Sequence, residues 1–215
     1  MDPDTFAGRL AELRVVPVVT IDDAADAAAL AGALADGGLP IVEITFRTAA
    51  AAEAIAAIRA ARPDVLVGAG TVLDAATVDR ALEAGAHFIV APGFSPATVA
   101  YAQAHGTPVV PGVVTPSEIE AAMSLGLRVL KFFPAEASGG PAYLSALRAT
   151  YPMVRFVPTG GINVGSLASY LALPNVIAAG GTWIATADAI RDQRWDEISR
   201  LAAEAVAMSS TTRES

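Results

Sequence analysis

The chain has 215 residues, of which 53% are hydrophobic, which is enough apolar material to bury a core. Its net charge of −8, without a run of basic residues, argues against nucleic acid or an anionic membrane surface as a partner. The absence of cysteine, with only two histidines, argues against disulfides, thiolate chemistry and a multi-histidine metal centre. We see neither a signal peptide nor an apolar run of the ~18 residues that span a membrane, so we expect a cytoplasmic protein.

Short apolar segments, most of them followed by an alanine-rich stretch, repeat along the chain. After a predicted N-terminal helix at 4–13, strands are expected every ~20–26 residues, about one strand-plus-helix unit. The predicted strands are 15–20, 41–46, 65–68, 87–91, 108–112, 128–133, 154–159 and 176–179. Eight even units favour an α/β fold with a single closed (β/α)8 TIM barrel over an open doubly wound sheet. A C-terminal helix is predicted at 194–208, which gives one domain over 1–208 and a disordered tail over 209–215.

Lys131 is the only lysine of the chain, and it lies among apolar residues in the predicted strand 128–133. A lysine in such a strand either extends its ammonium group to solvent or takes part in catalysis. An amine is a nucleophile only when neutral, and burial beside Val129 and Phe133 would disfavour the charged form. The strand alone leaves both interpretations open.

The second predicted strand carries its polar residues on one face. Alternation along the strand places Glu43, Thr45 and Arg47 together, and in a barrel this face points toward the axis or the mouth, where active sites lie. Glu43 and Arg47 are then either a structural ion pair or a proton shuttle beside a clamp for a carboxylate. Thr71, after the third strand, is a candidate hydroxyl donor at the same mouth.

Glycine pairs follow the last two predicted strands. Gly160 and Gly161 follow the seventh, and Gly180 and Gly181, with Thr182 next to them, follow the eighth. They are either simple tight turns or, where a helix N-terminus follows, the backbone amides of the phosphate site that barrels carry at this position.

These residue types together suit one reaction. A neutral lysine attacks a ketone to give a carbinolamine and then an imine, and the protonated imine draws electrons from an adjacent C–C bond as it breaks. Glu43 would move protons, Arg47 would hold the carboxylate of a 2-keto acid, and the glycine amides would bind an anionic far end. The parts fit a lysine-imine aldolase that needs no metal and no cofactor.

Several stretches carry a family pattern, and Lys-Phe-Phe-Pro-Ala-Glu at 131–136 is the most distinctive. The others are Val-Val-Pro-Val at 15–18, Val-Glu-Ile-Thr-Phe-Arg-Thr at 42–48, Val-Gly-Ala-Gly-Thr-Val at 67–72, Pro-Gly at 92–93 and 111–112, Pro-Thr-Gly-Gly-Ile at 158–162 and Gly-Gly-Thr-Trp at 180–183. On these residues the chain resembles the 2-keto-3-deoxy-6-phosphogluconate (KDPG) aldolase family, which includes 4-hydroxy-2-oxoglutarate (KHG) aldolases.

The resemblance implies a homotrimeric class I aldolase of the Entner–Doudoroff pathway that cleaves KDPG to pyruvate and D-glyceraldehyde 3-phosphate. From the matching motifs, the resemblance implies that Lys131 forms the imine and that Glu43 is the acid and base. The substrate-binding positions are Arg47 and Thr71 at the pyruvate end, Pro92 and Phe133 along the pocket, and Gly160, Gly161, Gly181 and Thr182 at the phosphate. Residue 182 is threonine where the resemblance leads us to expect serine. Arg14, before the first strand, is an additional candidate contact for an anion.

Three alternatives stay open. An aldolase for the galactonate epimer of KDPG, or for KHG, would differ only at the far end of the site. A phosphosugar isomerase or epimerase barrel shares the phosphate site but forms no imine. A barrel that binds a phosphorylated keto acid without turnover would lack catalysis.

Overall fold

Strands and helices alternate along the chain in the computed structural model, which describes residues 1–211. The helices are α1 (Pro3–Leu13), α2 (Ala27–Asp36), α3 (Ala51–Ala61), α4 (Ala75–Glu83), α5 (Pro96–Ala104), α6 (Pro116–Ser124), α7 (Gly140–Thr150), α8 (Val164–Leu171), α9 (Ala187–Arg191) and α10 (Trp195–Thr211). The strands are β1 (Val15–Val19), β2 (Ile41–Thr45), β3 (Leu66–Gly70), β4 (Phe88–Val90), β5 (Val109–Val110), β6 (Gly112–Val113), β7 (Val129–Phe132), β8 (Arg155–Pro158) and β9 (Ala179–Gly181). Short 3₁₀ helices span Ala24–Asp26 and Glu136–Ser138.

Every strand pairing within these residues is parallel. One sheet has the order β5-β4-β3-β2-β1-β9, and a second has the order β6-β7-β8. Isolated parallel bridges join Phe156 to Val176 and Thr159 to Gly180, next to the gap between β8 and β9. The predicted α/β class with a parallel sheet is confirmed, whereas continuous pairing around a barrel is not found among residues 1–211.

The predicted strand 108–112 is two short strands, β5 and β6, separated by Pro111. Proline has no amide hydrogen to donate, so a ladder is interrupted where it occurs. The Pro111 carbonyl still accepts a hydrogen bond from the amide of Lys131 at 2.9 Å. This contact holds the start of β6 beside the strand that carries the lysine.

The last strand begins later than predicted. Val176 makes only an isolated bridge, and the ladder with β1 is formed by Ala179, Gly180 and Gly181. The strand was predicted at 176–179 because of the β-branched residues there, but close packing determines the position of the observed strand. A Cβ atom added to Gly180 would lie 2.5 Å from Thr159 Oγ1, so this segment of strand requires glycine.

The first helix packs against the strands, and the last helix is longer than predicted. Phe6 and Leu10 of α1 are each 2% exposed, and the Phe6 ring lies 4.8 Å from that of Phe88, at the amino end of β4. The helix α10 extends to Thr211, three residues beyond its predicted end, and the rest of the predicted tail lies outside the described residues. No helix within 1–211 is both long and apolar enough to cross a membrane.

Candidate active site

A cavity of about 230 Å³ lies at the carboxyl ends of the strands. It is lined by all ten residues predicted to act in catalysis or binding: Lys131, Glu43, Arg47, Thr71, Pro92, Phe133, Gly160, Gly161, Gly181 and Thr182. These residues come from β2, β7 and β9 and from the segments that follow strands, so only the folded chain assembles them. The alternation predicted for β2 is correct, because Glu43, Thr45 and Arg47 all line the cavity.

The cavity contains a buried pair of oppositely charged residues. Lys131 Nζ donates a hydrogen bond to Glu43 Oε1 at 3.3 Å, and the two side chains are 7% and 5% exposed. The lysine therefore does not extend to solvent, and the partner of Glu43 is Lys131 instead of Arg47. Because such a pair contributes little to stability compared with apolar side chains of similar size, its presence favours a chemical role.

The Glu43 side chain has room beside Lys131 because the neighbouring strand carries a glycine, Gly70, at this place. Thr45 of β2 pairs with Gly70 of β3, and the Glu43 side chain lies over this glycine. A Cβ atom added to Gly70 would lie 2.7 Å from Glu43 Cγ and 2.8 Å from Glu43 Cδ. Gly70 thus provides the space that the carboxylate occupies.

Apolar groups lie beside Lys131 and on its interior side. The centroid of the Phe133 ring lies 5.2 Å from Nζ. A second cavity of about 20 Å³ touches both Lys131 and Glu43. The rest of its lining is Phe6, Leu10, Val16, Phe88, Val90, Val110, Val157 and Thr159. Such a lining restricts access of water to the pair from the interior.

Arg47 and Thr71 lie on the β2 and β3 side of the main cavity. Arg47 lies in the turn after β2, and its guanidinium forms no ion pair with any residue of 1–211, so it is available to an anion. Thr71 has φ of 59°, a left-handed conformation that is uncommon for a β-branched residue. Backbone strain of this kind is characteristic of functional sites, where the surrounding structure imposes it.

The glycine turn after β8 forms the opposite wall. Gly160 and Gly161 have φ of 101° and 82°, which residues with a side chain rarely adopt. Helix α8 follows at Val164, and the Asn163 side chain accepts hydrogen bonds from the Gly165 and Ser166 amides as its cap. The predicted succession of glycine turn and helix N-terminus is thus found after β8.

After β9 the arrangement differs from that expectation. Gly181 and Thr182 line the cavity, but the next helix begins only at Ala187 and has five residues. No helix N-terminus therefore follows Gly181 directly. Any anion contact at this place would depend on the local amides and on the Thr182 hydroxyl.

Arg14 does not belong to this cavity. It adopts a left-handed conformation at the C-terminus of α1, and its Nη2 donates to the carbonyl oxygen of Leu171 at 2.6 Å. It precedes β1, whereas the cavity contains Val18 and Thr20 at the other end of that strand. The expectation of an anion contact is wrong, because the position before a strand places Arg14 at the amino end.

Two polar residues of the cavity, Thr20 and Thr159, were not predicted as site residues. Thr159 is 5% exposed, lines both cavities, and its hydroxyl forms no hydrogen bond with the described residues. The signal was available, because Thr159 shares strand parity with Val157 at the end of β8. Histidine, cysteine and carboxylate side chains do not form groups of three or more that could hold a metal within 1–211.

A lysine within hydrogen-bond distance of a carboxylate, buried at the carboxyl ends of parallel strands, is the arrangement of an enzyme that forms an imine with a carbonyl substrate. Residues 7–201 match the family model described as "Aldolase: KDPG and KHG aldolase". The chain belongs to this KDPG and KHG aldolase family.

Relatives and solved structures agree with this assignment. A 2-dehydro-3-deoxy-phosphogluconate aldolase of Treponema pallidum is 49% identical, covering 92% of this chain and 94% of its own. The structure of a Legionella pneumophila KDPG aldolase, with pyruvate captured as a covalent carbinolamine, has a TM-score of 0.89 and 38% identity over 92% of this chain and 96% of that one. A Zymomonas mobilis KDPG aldolase with 3-phosphoglycerate has a TM-score of 0.87 and 39% identity over 94% and 95% of the two chains.

Proposed function

We propose that this protein is a class I aldolase that cleaves KDPG to pyruvate and D-glyceraldehyde 3-phosphate. The observation that carries the proposal is the buried contact of 3.3 Å between Lys131 Nζ and Glu43 Oε1 inside the cavity. Family membership and the carbinolamine captured in the Legionella structure support this chemistry.

Lys131 is the nucleophile in this proposal. Its neutral amine attacks the C2 ketone of KDPG, and the resulting carbinolamine loses water to form an imine. Protonation of the imine nitrogen makes it an electron sink, so the C3–C4 bond breaks and its electrons form an enamine. Protonation of the enamine at C3, followed by hydrolysis of the imine, releases pyruvate and regenerates the amine.

Glu43 moves the protons that these steps require. As a base it accepts the proton of the C4 hydroxyl when the C3–C4 bond breaks, and as an acid it returns a proton to C3 of the enamine. Its position within hydrogen-bond distance of the amine also allows it to serve formation and loss of the carbinolamine hydroxyl. The Gly70 position supports these roles by leaving room for the carboxylate.

The walls of the cavity suit the two ends of the substrate. Arg47 presents a planar guanidinium that can bind the pyruvate carboxylate through two hydrogen bonds, with Thr71 as a neighbouring donor. Pro92 and Phe133 enclose the carbon chain. The phosphate would bind the group formed by Gly160, Gly161, Gly181 and Thr182.

The same proposal includes a closed (β/α)8 barrel and a homotrimer. Only Pro111 separates β5 from β6, and two isolated parallel bridges connect the β8 region to the β9 region. Both features support closure of the strands into a barrel. The single domain over 1–208, the trimer and the cytoplasmic location stay predictions. Light scattering on the purified protein would measure the oligomeric state.

The direct test of turnover is release of pyruvate from KDPG, coupled to lactate dehydrogenase. We expect activity in wild type, loss of activity in Lys131→Ala with the fold retained by circular dichroism, and full activity after EDTA treatment. Folded wild-type protein that releases no pyruvate would support a binding protein or an isomerase in place of an aldolase.

KHG is the second substrate to compare, because the family model includes KHG aldolases. KHG, KDPG and its galactonate epimer share the pyruvate end and differ at the far end of the cavity. We expect a higher kcat/KM with KDPG than with KHG, since the glycine turns at that end suit a phosphate, which KHG lacks. A higher kcat/KM with KHG or with the epimer would change the assigned substrate and leave the imine mechanism in place.

A further inference from the structure

The segment that follows the reactive lysine ends at Glu136, which none of the steps above uses. Glu136 is exposed as a residue, yet one of its carboxylate oxygens has a buried partner. The Tyr170 hydroxyl of α8 donates to Glu136 Oε1 at 2.8 Å, and Tyr170 is 0% exposed. This hydrogen bond links the end of the Lys-Phe-Phe-Pro-Ala-Glu segment to the helix beyond the glycine turn.

Glu136 also contacts the glycine turn directly. The Ala135 amide donates to the Thr159 carbonyl at 2.8 Å, and the Glu136 amide donates to the Gly160 carbonyl at 3.1 Å. A Cβ atom added to Gly161 would lie 2.6 Å from Glu136 Cγ and 2.7 Å from Glu136 Cβ. The backbone of the turn is therefore packed against the Glu136 side chain.

The Tyr170 hydroxyl is well placed to stay a donor. Burial and the hydrogen bond to Glu136 both raise the pKa of Tyr170 above its ordinary value. Gly140, at the start of α7, leaves space beside it, because a Cβ atom there would lie 3.3 Å from the Tyr170 hydroxyl oxygen. Three segments thus meet at this hydrogen bond.

We propose that Glu136 is a positioning residue, held by Tyr170, that orients the Gly160–Gly161 turn for the phosphate end of the substrate. The inference rests on the proposed function for the identity of that substrate. Glu136 touches no reacting atom. It fixes the turn on one side through backbone hydrogen bonds and on the other through contact with Gly161, so the turn amides keep one orientation.

The test uses Tyr170→Phe, which removes the hydroxyl and keeps the ring. We expect the Kd for inorganic phosphate and the KM for KDPG to rise about threefold to tenfold. This fold-change corresponds to the free energy of about one hydrogen bond. The kcat for KDPG should change less than about twofold, and kcat/KM for unphosphorylated 2-keto-3-deoxygluconate should be unchanged. Glu136→Gln keeps an acceptor oxygen for Tyr170 and should fall between wild type and Tyr170→Phe.

Tyr151→Phe is a matched control, because Tyr151 is 6% exposed and donates to Glu120 Oε1 at 2.9 Å, away from the cavity. It should keep wild-type phosphate affinity. Wild-type phosphate affinity in Tyr170→Phe, or an equal rise of KM for both substrates, would overturn the positioning role. If wild type does not cleave KDPG, the proposed function fails, and phosphate titration of the variants still decides the role of Glu136.

Discussion

At the scale of single residues, the site consists of a few groups whose surroundings define what they can do. Lys131 has Glu43 on one side, the Phe133 ring at 5.2 Å, and an apolar lining toward α1. Glu43 in turn lies over a glycine, so its carboxylate can reach the amine. Each of these contacts can be changed one at a time.

Glu43→Gln keeps the size of the side chain and removes the group that exchanges protons. We expect kcat for KDPG cleavage to fall by about 10²–10⁴, because that is the usual contribution of a positioned acid or base. The measurement is the coupled pyruvate assay, with Glu53→Gln, on the exposed face of α3, as the control. A Glu43→Gln enzyme with wild-type kcat would show that another group moves the protons.

Thr71→Gly separates backbone strain from side-chain function. Glycine adopts a φ of 59° without the steric cost that threonine incurs, so we expect thermal stability to be maintained. Loss of the hydroxyl should raise KM by about tenfold to a hundredfold, which corresponds to the loss of a hydrogen bond to a charged group. Gln193→Gly relieves a φ of 53° outside the cavity and should leave KM unchanged. An unchanged KM in Thr71→Gly would remove Thr71 from the binding site.

At the scale of elements, the small residues of the strands are explained by what packs against them. Gly68 of β3 faces the Phe88 ring, Gly70 faces Glu43, and Gly180 of β9 faces Thr159. Strand propensity alone disfavours glycine. The prediction therefore ended β3 too early, at 68, and placed the last strand too early, at 176–179. Strand alternation, by contrast, placed Glu43 and Arg47 correctly, because a one-residue slip would bury them against the helices.

Gly70→Ala tests whether the glycine positions the carboxylate. The added methyl group would contact Glu43 and displace it, so we expect kcat to fall together with a loss of about 1–3 kcal/mol in the free energy of unfolding. The coupled assay and thermal denaturation measure the two effects. Gly8→Ala is the control, because a Cβ atom there meets nothing within 4 Å and alanine favours the helix. Wild-type kcat in Gly70→Ala would contradict the positioning.

His87 connects β3, β4 and α3 and should make stability depend on pH. Arg59 Nη1 lies 2.7 Å from His87 Nε2, and burial, with the charge of Arg59, lowers the pKa of His87. The unfolded chain then binds a proton at higher pH than the folded one. Stability from this residue is present above the unfolded pKa of about 6.5 and is lost as pH falls toward the lower folded pKa.

Thermal denaturation between about pH 7.5 and pH 5 measures this effect across the ordinary histidine pKa. We expect His87→Gln to show a weaker fall in stability over that range than wild type, whereas His105→Gln, at an exposed helix end, should behave as wild type. An identical pH dependence in wild type and His87→Gln would contradict the assigned cause.

For the whole molecule, the order of the elements and most residues of the cavity could be predicted from sequence. Repeating units, strand parity and the family motifs determined them, because all three are local patterns that survive folding unchanged. The isolated bridges between the β8 and β9 regions and the contact of Arg14 with Leu171 could not be predicted. They depend on which distant backbone groups meet, and no local pattern specifies that.

Reductive trapping shows whether Lys131 forms an imine with a 2-keto acid. Wild-type protein is incubated with pyruvate and sodium borohydride, digested, and analysed by mass spectrometry. Because Lys131 is the only lysine, an adduct on any lysine side chain is an adduct at this site. We expect a reduced pyruvyl group on the peptide that contains Lys131, and none in Lys131→Ala. Unmodified Lys131 in an enzyme that cleaves KDPG would contradict the imine mechanism.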